Sequence, residues 1–252
     1  MSSHPNELVP TKGPITKTFF RFIVPSTLSL LAISTASIVD GFFVGNFVGA
    51  EGLAAVNLLM PYFALLFGLA LMLAVGGSVK ASIAIGQDDY PLASTIFSQV
   101  FFFSFFFNLV VLPISLVFSD NLFKALGAND QIFPLMSEYF NVLAFAMLIQ
   151  LSGLVFYYFF RADNQPQLGM YALLLGAATN ILLDTLFIYG FEWGIKGAAW
   201  ATLIAQVVQL IFMLRYFKRD NARSRSAKLK LVKPLWEWRK IWSSMFNGFS
   251  EF

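Results

Sequence analysis

The sequence predicts an all-α membrane protein: a bundle of six transmembrane helices followed by the first turns of a truncated seventh. Three observations carry that prediction. Of the 252 residues, 58% are hydrophobic and 30 are phenylalanine, and the mean hydropathy is +0.70. Only 12% are charged, about half the share of an ordinary soluble domain, roughly 25%. The charges sit almost entirely in the joints between long apolar runs. A soluble fold could not bury this much apolar surface, intrinsic disorder is excluded, and a chain without cysteine has no disulfide framework. No soluble domain remains to carry the basic face that nucleic-acid binding requires.

The elements follow in order. Residues 1–17 form a polar tail with Pro5, Pro10 and Pro14. No short apolar segment with a small-residue cleavage site follows it, so the first helix is expected to be its own insertion signal and to stay in the mature protein. A spanning helix needs about 20 mostly apolar residues at 1.5 Å each. Six runs qualify: 22–48, 53–79, 92–119, 139–160, 164–191 and 197–214. They make up a membrane bundle over residues 18–214. Gly, Asn, Asp and Pro cluster in the joints at 49–52, 86–91, 127–130, 161–166 and 190–197. Pro25, Pro61 and Pro113 fall inside spans, where neighbouring helices tolerate the kink. Gly68, Gly76 and Gly77 give the second span places to pack closely or bend. Residues 215–240 are a basic linker; its Trp236 and Trp238, with Trp242 just beyond, suit a membrane interface. The run 241–252 is too short to cross.

The basic residues fix an orientation. Lys12, Lys17 and Arg21, then Lys80, then Arg161, and ten more in the linker fall on one side, leaving Lys124 and Lys196 on the other. That asymmetry places the N-terminus and the linker in the cytoplasm of a multi-pass inner-membrane protein, with membrane lipids as partners.

Charges inside spans are expensive and point to function. There are two, Asp40 and Asp184. Asp40 lies five residues before Gly45, where the first helix is expected to end, hence ~8 Å below the outer end. Asp184 lies six residues before Gly190, so ~9 Å below its helix end. Thr202 lies five residues past Gly197, again ~8 Å deep. Asn180 precedes Asp184 by four residues, which puts both side chains on one helix face. Two carboxylates, an amide and a hydroxyl are hard oxygen donors, suited to H⁺ or Na⁺ and to no soft metal. With no cysteine and only His4 in the tail, zinc is not credible, and no cofactor is expected beyond the ion itself. Two carboxylates close together in a low dielectric cannot both stay ionised without a cation, so the set reads as an ion-coupling site of a secondary transporter.

Several longer motifs carry a family resemblance. They are Ile38-Val39-Asp40-Gly41-Phe42-Phe43-Val44-Gly45 with Gly52-Leu53-Ala54-Ala55-Val56-Asn57-Leu58-Leu59-Met60-Pro61, then Gly76-Gly77-Ser78 with Gly86-Gln87-Asp88. Phe160-Arg161-Ala162-Asp163-Asn164-Gln165-Pro166 and Gly194-Ile195-Lys196-Gly197-Ala198-Ala199-Trp200-Ala201-Thr202 follow. In order and spacing they resemble the first half of the multidrug and toxic compound extrusion (MATE) family. The resemblance implies one lobe of a twelve-helix transporter that exports lipophilic, often cationic, organic compounds against H⁺ or Na⁺. It also implies a C-terminal lobe as partner. It assigns the cation site to Asp40, Asn180, Asp184 and Thr202, the residues that the depth count had already selected. The linker resembles the crossover between lobes and Asn247-Gly248-Phe249-Ser250-Glu251 the start of the second repeat, so the chain is expected to be a half that does not transport alone.

Two other readings compete. Intramembrane aspartyl proteases and prenyltransferases use paired or clustered aspartates, but the contexts Val39-Asp40 and Leu183-Asp184 match neither, and no enzyme is expected. A lipid-linked oligosaccharide flippase of similar architecture would line its cavity with cations, and the spans lack them. Outside this set, Phe101-Phe102-Phe103-Ser104-Phe105-Phe106-Phe107 is expected to pack or face lipid rather than bind substrate. Asn57, Asn108, Asn141 and Gln150 are expected to join helices. Glu138 is expected to be solvated at the outer mouth.

Overall fold

The computed structural model describes residues 15–218 and 229–232. The start of a seventh helix, the linker tryptophans and most of the polar tail lie outside the described residues.

The described chain is helical. Helix α1 (Ile15–Phe43) passes into a π-helical turn, Val44–Val48. α2 (Ala50–Gly86), α3 (Tyr90–Val117) and a short α4 (Ser119–Ala125) follow. α5 spans Ile132–Ala162, and α6 (Pro166–Asp184) runs into a second π-helical turn, Thr185–Gly190. α7 is Gly194–Lys218. All of these but α4 are long and apolar enough to cross a bilayer, giving six candidate spans among the described residues. The six predicted runs are all present: four have longer ends, the third starts and stops two residues earlier than predicted, and the fifth is slightly shorter at both ends. α5 starts seven residues before the predicted 139, because Asn129 caps it by accepting hydrogen bonds from the backbone N–H groups of Gln131 (3.1 Å) and Ile132 (2.8 Å). α1 begins inside the stretch read as a tail. α4 was not foreseen: seven residues are too few for a periodicity signal, and Phe123 is what holds it, buried edge-on against Phe133 and Phe140.

α5 is the central column, packed against α2, α3, α6 and α7, while α1 lies along α6 on the flank. A bilayer supplies no hydrophobic drive between helices, so close van der Waals packing must hold them. α2 shows how. Its buried face is Ala70, Leu73, Ala74, Gly77, Ser78, Ala81 and Ala84, the three- and four-residue spacing of one helix side. Of the three glycines noted in α2, Gly77 is a point of closest approach: a Cβ there would lie 2.5 Å from Val100 of α3 and 3.3 Å from Phe159 of α5, whereas Gly68 faces open space. Hydroxyls settle their own hydrogen bonds. Ser26, Ser29, Ser82, Ser115 and Ser152 each donate to the carbonyl one turn back.

Both ends of the bundle are chemically distinct. At one end the Arg21 guanidinium donates to the Asn164 carbonyl at 2.8 Å, tying the start of α1 to the α5–α6 joint. At the other, Lys196 of α7 pairs with Glu138 of α5 at 3.2 Å. Arg21 and Arg161 thus share one end and Lys196 holds the opposite one, as the charge count required.

Candidate functional site

Asp40 stands near the C-terminal end of α1, Asn180 and Asp184 in the last turns of α6, and Thr202 two turns into α7. The helix carrying Asp40 does not end at Gly45 as expected. It continues through the π turn to Val48, so Asp40 sits about one turn further from its helix end than that count gave. The second π turn begins directly after Asp184. Each acid is therefore followed by a wide turn of the kind that recurs at functional sites. The two turns meet, with the rings of Phe47 and Tyr189 edge to face at 5.4 Å.

Gly197 sets the spacing of α7 from this region. A Cβ at that position would lie 3.1 Å from the carbonyl carbon of Phe187 and 3.2 Å from its oxygen, both backbone atoms of the π turn. A side chain here would have to push the two backbones apart by a few tenths of an ångström, so glycine favours this close approach, which brings Thr202 against α6. There Asn180 donates from Nδ2 to Thr202 Oγ1 at 3.4 Å.

Asp184 is completely buried, 0% exposed, and Asp40 is partly buried. The two carboxyl groups are near enough to interact electrostatically. Both oxygens of Asp184 and Oδ1 of Asp40 are buried without a hydrogen-bond partner. Among the described residues they are the buried side-chain polar atoms of which this is true. A buried carboxylate oxygen left unpaired is strongly disfavoured. The helix ends sharpen the conflict, because the C-terminal ends of α1 and α6 both carry negative partial charge. The oxygens at this place therefore fit a small hard cation or a proton. Among the described residues no group of three His, Cys, Asp or Glu side chains is arranged for a metal.

All four residues selected from the sequence thus fall in one region of α1, α6 and α7. A fifth polar side chain, not singled out in the sequence, lies in the same region. Tyr139 of α5 is 4% exposed and lies within electrostatic reach of both Asp40 and Asp184. Its only signal was position, as the first residue of the fourth apolar run at the outer end, next to Glu138. Glu138 itself is half exposed, as expected, though it is paired with Lys196.

Of the polar residues expected to join helices, Asn57, Asn108 and Asn141 behave differently from the expectation. Asn141 is exposed and bonds Ser137 one turn back on its own helix at 3.5 Å, so it does not join helices. Asn57 is exposed on α2. Asn108 is buried and donates within its own helix to the Ser104 carbonyl at 2.8 Å. It lines a small cavity with Tyr62 and Ser115, whose hydroxyls are bonded to each other. In the phenylalanine stretch Phe101 packs edge-on against Phe156 of α5, while Phe106 is exposed on the outer face. The stretch thus divides between packing inside the bundle and an exposed face.

A bundle of six apolar helices long enough to cross a bilayer, with Asp40 and Asp184 set among them, defines a multi-pass membrane protein. The model of the MatE family matches residues 25–186, and the chain belongs to that family. The multidrug export protein MepA of Staphylococcus aureus (strain MSSA476) is 29% identical over 223 residues, covering 88% of this chain and 49% of that protein. Among solved structures, the outward-facing conformation of a multidrug resistance MATE family transporter of the MOP superfamily superposes with a TM-score of 0.79. It is 28% identical and covers 94% of this chain and 52% of the other. A MATE structure in the bent conformation gives a TM-score of 0.80 at 29% identity, over 94% and 53% respectively. The chain spans about half the length of the relatives it matches.

Proposed function

We propose that this chain is the cation-coupling half of a secondary active multidrug exporter, in which H⁺ or Na⁺ entering one way drives lipophilic, often cationic, organic compounds out. The observation that carries the proposal is the trio of buried, unpartnered carboxylate oxygens on Asp40 and Asp184. Asn180 and Thr202 add an amide and a hydroxyl at the same level, and the buried Tyr139 stands in the same region. The site holds a cation while it is dry. It releases the ion when the lobe opens and water can solvate the carboxylates. A second lobe of similar size, matching the missing half of the relatives, would supply the opposite wall of the substrate cavity. Likeness to relatives named as multidrug export proteins favours export of drugs over the flipping of lipid-linked oligosaccharides.

In this reading the membrane is the inner membrane and the end holding Arg21, Arg161 and Lys230 faces the cytoplasm, as the excess of basic residues there requires. The test is transport by the complete protein in energised vesicles, with Na⁺ and pH gradients imposed separately. Efflux of a fluorescent organic cation should follow one of the two gradients and disappear in Asp40→Asn and Asp184→Asn. Normal efflux by both variants would remove the basis of the assignment.

A further inference from the structure

The basic linker makes one contact with the bundle that neither the charge pattern nor the family accounts for. Residues 229–232 lie extended across the start of α3. The backbone N–H of Lys230 donates to Ser94 Oγ at 3.1 Å, and that of Val232 donates to Ser98 Oγ at 2.9 Å. The Ser98 hydroxyl proton lies between the Ser94 carbonyl at 2.8 Å and the Lys230 carbonyl at 3.3 Å. Both serines are buried, and Leu229 is only 3% exposed, packed into the cluster that contains Phe97, Phe160 and Met213.

The geometry explains the register. Two residues of extended chain cover about 6.6 Å, and four residues of helix rise about 6 Å. Serines spaced i, i+4 on one face of α3 therefore match alternate N–H groups of a strand laid along it. Leu229 is buried in the lobe, while Lys230, Leu231 and Val232 are exposed. Ordinary linkers leave their backbone groups to water. Here two are committed to buried side chains on a helix far away in sequence.

We propose that Ser94 and Ser98 form a docking clamp for this segment of the linker. The linker is then held on α3 at residues 229–232 as well as at the end of α7. In a two-lobe transporter a tilt of α3 is passed to the linker directly. This consequence rests on the two-lobe reading above; the clamp itself does not.

Limited trypsin digestion of the full chain in vesicles with the basic face outward tests the clamp. Cleavage after Arg223 or Arg225 serves as the internal reference. Cleavage after Lys230 should be slow in the native chain and roughly tenfold or more faster in Ser94→Ala/Ser98→Ala, since that variant loses both anchoring bonds. Equal rates in the two proteins overturn the clamp. If the double variant inserts poorly, Leu229→Ala should give the same acceleration, and an unchanged rate there also counts against the proposal. Because the chain lacks cysteine, spin labels on Leu92→Cys and Leu231→Cys report the docking independently. One narrow distance supports it and a broad distribution refutes it. Neither readout involves transport, so a failed clamp leaves the export reading standing, and failed export leaves the clamp standing.

Discussion

Asn180 on α6 donates its amide N–H to the Thr202 hydroxyl on α7. That bond orients the amide and leaves its carbonyl oxygen, the one atom of the group that can bind a cation, free to do so. Thr202→Val, which keeps the side-chain shape and removes the hydroxyl, should therefore weaken cation binding by several-fold, the worth of about one hydrogen bond, ~1 kcal/mol. Thr202→Ser should stay near the native value. Ion-binding isotherms on the purified complete transporter measure both; equal loss in the two variants would mean that shape and not the hydroxyl matters.

Gly197 acts at a distance from the oxygens. An added Cβ meets backbone atoms of Phe187, which cannot swing aside. Gly197→Ala should push α7 from α6, separate Thr202 from Asn180, and destabilise the bundle by about 1–3 kcal/mol, the usual cost of overpacking. Gly68→Ala, where a Cβ meets open space, is the control and should be neutral. Thermal unfolding in detergent together with cation affinity separates the two.

Tyr139→Phe removes the hydroxyl closest in character to the acids without changing the packed ring. The expected result is an intact fold with altered cation affinity and a shifted pH profile of efflux. An unchanged profile would confine Tyr139 to packing.

The Glu138–Lys196 pair should matter little. Its side chains are 44% and 54% exposed, and exposed pairs contribute about 0–1 kcal/mol. Lys196→Met should insert and transport normally in vesicle assays. A large loss of export would give the pair a gating role.

The six spans were legible because a bilayer demands long apolar runs, and Asp40, Asn180, Asp184 and Thr202 because polarity inside such runs is costly enough to stand out. Counting residues inward from glycine joints gave a common depth. The structure brings the four together despite one wrong boundary: Gly45 does not stop α1, because the π turn accommodates it. Tyr139 was hidden because tyrosine is ordinary at a membrane interface and its role depends on α5 standing at the centre, which no local pattern reveals. Asn57 and Asn141 misled for a related reason. Polarity marks a residue as unusual in a span but does not say which way its helix face is turned. The clamp at Ser94 and Ser98 was invisible because it pairs residues more than 130 positions apart.

Coupling through this lobe requires that Asp40 and Asp184 hold one cation between them. Infrared difference spectroscopy of their carboxyl bands in the complete transporter, with Na⁺ or pH stepped, tests this most directly. If they share the ion, Asp40→Asn and Asp184→Asn should each remove most of the cation-dependent signal, and the double variant should remove little more. Two independent signals, each lost only with its own residue and adding up in the double variant, would contradict it.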